Sequence, residues 1–450
     1  MATIRSEMTG FRRDLLAACI ALAIVPVFTR ADAPRAGNTW TVENCDDDGP
    51  GSLRETLSMV SDGDTVDLRA LLCSTITLTT GALDITVDTL VMEANRDALT
   101  IDAAGSSRVL FHTGTGSLRL YGLGVANGFA AGASGGCIYS KGSVRLDRST
   151  VSGCLAEAPQ SLGGGGVFAR GDIYAGYSTI GDNTAILANG GPYDGAGGGG
   201  LYAGGDITLS FTTISGNSVL ANPGYSGGGG FWAGGAVTIM SSTIEGNHAP
   251  TAGAGRIESF GTNQPSVIAD STISGNVADF ITAGIVSFAN ILRIKNSTIA
   301  FNSSPTGVVA FGAGLVTSGY GNFLYLGSTI IANNTVAGVE GDLCWQGMRG
   351  GGVIGPDNLI IASCNGDEPP DTIHADPMLA PLADNGGWTM THALISGSPA
   401  IDHGSNHSYL VSDQRGAARV SGPAADIGAF ELQQAAPPDA IFRNGFDPPG

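Results

Sequence analysis

The sequence predicts an all-β chain wound into a β-solenoid. A repeated phrase, the alternation inside it and an amide that follows it carry that expectation. The phrase occurs as Ser149-Thr150-Val151, Ser178-Thr179-Ile180, Thr212-Thr213-Ile214, Ser242-Thr243-Ile244, Ser271-Thr272-Ile273, Ser297-Thr298-Ile299 and Ser328-Thr329-Ile330, with third positions 29, 34, 30, 29, 26 and 31 residues apart. A period of this size marks stacked structural repeats. Within the copies, "DITLSFTTI" and "AVTIMSSTI" alternate and are rich in β-branched residues, which favours strands, while glycine runs interrupt any helical period. WD40-type propeller blades are longer, about 40 to 45 residues, and carry a Trp-Asp signature; no such signature recurs here. Three residues beyond the third position stand Cys154 and then Asn183, Asn217, Asn247, Asn276, Asn302 and Asn333. Equivalent residues of stacked coils lie about 4.8 Å apart, so side-chain amides there can hydrogen-bond up the stack as a ladder.

In chain order, residues 1–33 read as an export leader: Arg5, Arg12 and Arg13 precede the apolar run Leu15 to Phe28, and Ala31-Asp32-Ala33 is a small-residue cleavage site. The run is too short to span a bilayer, so no transmembrane anchor is expected after the leader leaves. Residues 34–110 form an N-terminal cap and the first coils; the cap is a helix whose Leu53, Leu57 and Val60 share a face, shielding the core at the solenoid end. Residues 111–340 are the repeats. "GGGGVF" at 163, "GGGGLY" at 197 and "GGGGFW" at 227 supply bends before apolar strands; a phosphate-cradling loop would need a helix N-terminus and usually a lysine, and neither is present. Residues 341–432 form irregular C-terminal coils, and 433–450 a tail too short for a membrane barrel.

The chain carries 70 glycines and 40 acidic against 21 basic residues, a formal charge of −19, with Lys141 and Lys295 its two lysines. Such a surface repels phosphate backbones and excludes nucleic acid as the expected partner. After the leader, Cys45, Cys73, Cys137, Cys154, Cys344 and Cys364 remain. An even number in an exported chain points to disulfides; 15 pairings exist, and pairing between sequence neighbours is the expectation.

The opening segment, through Cys45, Gly49, Gly51, Ser52-Leu53-Arg54-Glu55, Gly63-Asp64-Thr65 and Ile76-Thr77-Leu78, resembles the CSLREA-type N-terminal region of bacterial surface proteins. Near the other end, Asp376-Pro377, Leu382-Ala383-Asp384-Asn385-Gly386-Gly387, Thr391-His392-Ala393-Leu394, Gly397-Ser398-Pro399-Ala400-Ile401-Asp402, Asp413-Gln414-Arg415-Gly416 and Asp426-Ile427-Gly428-Ala429-Phe430-Glu431 resemble the choice-of-anchor Q domain, with Trp388 where that family usually has proline. The repeats between resemble pectin-lyase-like proteins. Together these resemblances imply a right-handed parallel β-helix with an N-terminal cap helix and an irregular C-terminal cap. They also imply export and display on, or release from, the cell surface, without one established reaction.

The functional expectation is a monomeric binding, adhesive or structural protein of the cell surface, directed at an extracellular polysaccharide or another cell-envelope component. The alternative is a polysaccharide lyase or glycoside hydrolase of the same architecture, which would need a base near carboxylate-held Ca²⁺ or a pair of carboxylates. No cofactor is required, and Ca²⁺ is the one candidate. Asp147, Arg148, Arg170, Asp172, Asp182, Asp194, Asp206, Glu245, Arg256, Glu258, Asp270 and Asp279 are scattered through the repeats without an evident common face. His392, Asp402, Asp413, Arg415, Asp426 and Glu431 are denser; they read as hydrogen bonds and ion pairs that lock the C-terminal cap, with a carbohydrate or Ca²⁺ site as the other reading. Tyr139, Phe168, Tyr202 and Trp232 follow successive glycine runs and should form one vertical stack; facing outward it would be a sugar-binding stripe, facing inward it would be core.

Overall fold

A computed structural model describes residues 37–434, except 96–98, 158–162, 188–195, 222–225, 261–263, 307–311, 349 and 407–409. The leader, Asp194 and the tail from 435 onward therefore lie outside the described residues. The chain winds through four sheets per coil. Sheet 1 has 12 strands, from Thr39–Thr41 to Gly352–Ile354, and sheet 2 has 11, from Thr75–Thr77 to Leu359–Ile360. Sheet 3 has nine, from Phe129–Ala130 to Val339–Glu340, and sheet 4 has ten, from Leu83–Ile85 to Leu343–Met348. Pairing between coils is parallel, save for the final antiparallel step from Thr335–Val336 to Val339–Glu340 in sheet 3. In three successive coils the glycine runs pair as Gly163–Gly164, Ala196–Gly198 and Ser226–Gly228, a small fifth sheet. A side chain there would collide with backbone: a Cβ on Gly198 would fall 1.7 Å from the Leu201 carbonyl of its own coil, and one on Gly199 2.2 Å from the Gly229 carbonyl of the next.

Alternation places one row of each strand in a continuous core. Val151, Ile180, Ile214, Ile244, Ile273, Ile299 and Ile331 stack through sheet 2 with no exposed surface. The last of these corrects the repeat: Ile331, not Ile330, pairs with Ile299. The copy holds two isoleucines and two asparagines in succession, so composition could not decide the register. Sheet 1 decides it, because Lys295 pairs with Gly327 and places Thr329 at the level of Ser297.

The amide ladder follows the corrected register. Asn183 Nδ2 donates to Asn217 Oδ1 at 2.9 Å, and the same bond repeats from Asn217 to Asn247, Asn247 to Asn276, Asn276 to Asn302 and Asn302 to Asn334 at 2.8 to 2.9 Å. Asn334 donates in turn to Asp342 Oδ1 at 2.8 Å. Asn333 is not a rung. It occupies the preceding corner at φ 60° and donates its backbone N–H to Glu340. Each rung also bonds a backbone carbonyl one coil below, as Asn247 does with Ile214.

The N-terminal helix spans Leu53–Met59; Ser52 caps it by accepting the Glu55 N–H, and Leu53, Thr56 and Leu57 are buried. Cys45–Cys73, Cys137–Cys154 and Cys344–Cys364 are bonded, the neighbour pairing. Beyond the last coil the chain turns back along the flank of the solenoid. It forms a hairpin of Leu379–Ala383 with Thr391–Leu394, and a second apolar core from Ile330, Ala332, Leu359, Leu394, Ala400, Ile427 and Phe430. This C-terminal arm covers the outward threonine row of sheet 2: Thr243 donates to the Met390 carbonyl, Thr272 to Gln414, and Thr298 accepts the Ala429 N–H.

Replacing Asn247 by alanine strands both neighbouring rungs and the Asn217 N–H in a dry interior, so it is expected to cost about 2–4 kcal/mol. Asn333→Gly, off the ladder in a left-handed corner, should be within about 1 kcal/mol of the parent. Denaturant unfolding of both variants checks the register; equal losses would contradict it.

Candidate functional site

The aromatic row points out of the solenoid. Ile138, Val167, Leu201 and Phe231 fill the core, and Phe111, Tyr139, Phe168, Tyr202 and Trp232 stack on the outer face of sheet 4. Successive ring centroids lie 5.2, 5.2, 4.9 and 4.6 Å apart, and from Tyr139 upward the planes are within 8° of parallel. The rings spend their faces on one another. Phe168 and Tyr202 are only 4% exposed, and burial drives the Tyr202 phenol far above its ordinary pKa. Arg108 lies 5.1 Å from the Phe111 centroid at one end, and Arg256, paired in register with Trp232 and joined to Glu258, stands at the other. A sugar packs against a ring face, so this stack is a cohesive column with little surface for one.

The six C-terminal motif residues are brought together as a network that locks the arm's own turns, with His392 tying it to the solenoid. Asp413 accepts the N–H groups of Arg415, Ala417 and Glu431 and a two-nitrogen contact from the Arg415 guanidinium, which itself lies 3.6 Å from the Phe430 centroid. Asp426 accepts the N–H groups of Asp402 and Leu432, and Glu431 those of Ser421 and Asp426. His392 lies between Ser274 Oγ at 2.8 Å and the Ala380 carbonyl at 2.7 Å, and burial lowers its pKa. Ser398 donates to the Pro377 carbonyl. Arg419, which no motif marked, is 1% exposed and bridges Glu431 on the arm at 3.4 Å to Asp270 on the solenoid at 3.5 Å.

Of the scattered acids, Asp172 and Asp206 stack in successive coils, and the others stand apart from them. Asp172 and Asp206 each accept a backbone N–H from the next coil, Asp182 turns a corner at φ 56°, and Asp279 meets His248. Among the described residues no group of three or more His, Cys, Asp or Glu side chains is placed to hold a metal ion.

The outer face of sheet 1 brings together residues that lie outside the repeated phrase. One column runs Arg119, Arg145, Tyr174, Thr208, Thr238, Val267, Arg293, Tyr325 and Ile354. Two residues on along each strand, a second column runs Tyr121, Asp147, Gly176, Ser210, Met240, Ala269, Lys295 and Gly327. The Tyr174 ring leans into the space above Gly176, where a Cβ would fall 2.8 Å from its hydroxyl, and Tyr325 leans likewise above Gly327. Arg145 stacks on Tyr174 at 3.9 Å and pairs with Asp147 at 2.7 Å. The short side chains of Thr208 and Thr238 continue the column above Tyr174, leaving the other ring face without a bulky neighbour in its own column. The signal for this face was present in "VRLD", "IYAG", "LRIK" and "FLYLG", where alternate residues of a strand must share one side.

The class that this architecture defines is the parallel β-solenoid. Among solved structures the chain is similar to a pectate lyase, Pel9A, at 14% identity and a TM-score of 0.46, over 88% of this chain and 97% of that one. No protein-family model and no curated protein sequence matches the chain.

The lock has a pH signature. Burial pushes Asp270 and Glu431 up to about 7, with the Arg419 charge opposing. Both lie above their unfolded values near 4, so their contribution is complete below about pH 4 and is lost as pH rises through about 7. The stability difference between the parent and Asp270→Asn should therefore shrink or reverse from about pH 5 to 8. Paired urea titrations across that range check it, and a constant difference would refute it.

Proposed function

We propose that this chain is an exported β-solenoid that binds an extended glycan along the outer face of sheet 1. The observation that carries the reading is the column of aromatic, guanidinium and hydroxyl groups held in register along that face. Twelve strands at about 4.8 Å make a straight track of roughly 50 Å, a length that matches a polymer better than a small molecule. Tyrosine supplies an apolar surface with a polar tip, and arginine and threonine supply hydrogen bonds to sugar hydroxyls. Sheet 2 is partly covered by the arm, sheet 4 by its own stacked rings, and the column on sheet 3 from Leu155 through Thr184, Ser218, His248, Val277 and Ser303 to Thr335 carries neither tyrosine nor arginine, which leaves sheet 1 as the long face with such groups.

Export is supported by the basic and apolar leader sequence and by three disulfides, which persist in oxidising compartments. The resemblance of both terminal segments to cell-surface families supports display or release outside the cell.

The test is retention of the mature protein on a panel of neutral and acidic polysaccharides, followed by titration against the retained polymer. Tyr174→Ala and Tyr325→Ala should each remove ~1 kcal/mol of aromatic contact, about a fivefold loss of affinity, with unfolding curves like the parent's. Retention that survives both substitutions would reject this face. New reducing ends during incubation would turn the reading from binding to cleavage.

A further inference from the structure

Sheet 1 contains the same side-chain arrangement twice, with one charge changed. In the lower station Arg145 and Asp147 lie two residues apart on one strand, and Tyr174 and Gly176 occupy the matching positions on the next. In the upper station Arg293 and Lys295 take the first pair of positions, and Tyr325 and Gly327 the second. Both stations share their columns, five strand steps apart, a separation of about 24 Å. Asp147 neutralises Arg145 in the lower station. In the upper one, no ion pair joins Arg293 or Lys295 to a carboxylate among the described residues.

Two uncompensated cations side by side are costly in a chain with 40 acidic residues to draw on. Burial and the Arg293 charge lower the Lys295 pKa; burial and the Asp357 charge raise that of the Tyr325 phenol, with Arg293 opposing. The ammonium lies 5.7 Å from the Tyr325 centroid, within cation–π range. An anion received here would satisfy both cations beside an aromatic surface. The lower half is mixed in charge: Arg119 continues the column beside Arg145, while Asp147, together with Asp172 and Asp206 at the adjoining corner, supplies three carboxylates, Asp172 accepting the Asp206 N–H and Asp206 the Ala236 N–H.

Resting on the glycan reading above, we propose that the Arg293–Lys295–Tyr325 station receives a single anionic substituent, a carboxylate or a sulfate ester, on an otherwise largely neutral polysaccharide. A polymer charged on every sugar would meet Asp147, Asp172 and Asp206 along the same track. One charged only at intervals would place an anion on the upper station and neutral sugars on the lower.

The experiment uses the mature protein and soluble dextran and cellulose derivatives: neutral hydroxyethyl polymers, sparsely carboxymethylated ones, sparsely sulfated ones and densely carboxymethylated ones, at fixed salt. The parent should bind at least one sparsely charged series about tenfold more tightly than its neutral counterpart and more tightly than the dense one; the carboxylate and sulfate arms identify the anion. Lys295→Met should bring the sparse-to-neutral affinity ratio close to one. Asp147→Lys, which gives the lower station a second cation, should raise the dense-to-sparse ratio. A parent that favours the dense polymer, or an unchanged ratio in Lys295→Met, overturns the proposal. If neutral polymers bind and charge makes no difference, the anion station alone fails. If no polymer binds, the glycan reading fails with it.

Discussion

The structure depends on one requirement: each coil must present to the next the same groups at the same height. Backbone pairing between parallel coils repeats about every 4.8 Å, and any side chain inside the wall must accept a neighbour at that distance. Isoleucine meets this by dispersion and asparagine by donating and accepting at once. Glycine meets it by yielding space where two coils come closest. The aromatic column outside sheet 4 obeys the same rule, with ring spacings close to the coil repeat. Its order is therefore a consequence of winding, which explains why a row that alternation places outside has so little free surface.

Most of the solenoid was legible because this requirement is written as repetition. The β-branched third position and the asparagine recur in sequence since they recur in space. Legibility failed where repetition became ambiguous: in the last copy, doubled isoleucine and doubled asparagine allow two registers, and only pairing in sheet 1 separates them. The neighbour pairing of cysteines follows from the same geometry, since residues 17 to 28 apart lie less than or about one turn from each other.

The functional surface was harder to read for a physical reason. Outward positions need not match the next coil, so they vary and leave no repeat. Arg145 meets Tyr174, and Arg293 meets Tyr325, only when the strands of successive coils are aligned in register. The C-terminal motif showed its residues plainly but not its place. His392 and Gln414 reach Ser274 and Thr272, more than a hundred residues earlier, and Arg419 joined the lock from outside the motif. Its two guanidiniums, Arg415 and Arg419, stand among four buried carboxyls, Asp270, Asp413, Asp426 and Glu431, an imbalance that ties the arm's attachment to proton concentration.

The amide ladder also has a direction. Every asparagine donates toward the C-terminal end and accepts from below, so the series cannot close on itself; each rung hands an unmet N–H to the next. Asp342 receives the last of them through Oδ1, while its Oδ2 accepts the Ala362 N–H. At the lower end the backbone N–H of Cys154 meets Asn183, and its sulfur is tied to Cys137. An asparagine in place of Asp342 would call for a further coil, and a carboxylate lower down would interrupt the count. The ladder thus has one sense, and a residue that only accepts marks its last rung, with strands of the other three sheets still to follow.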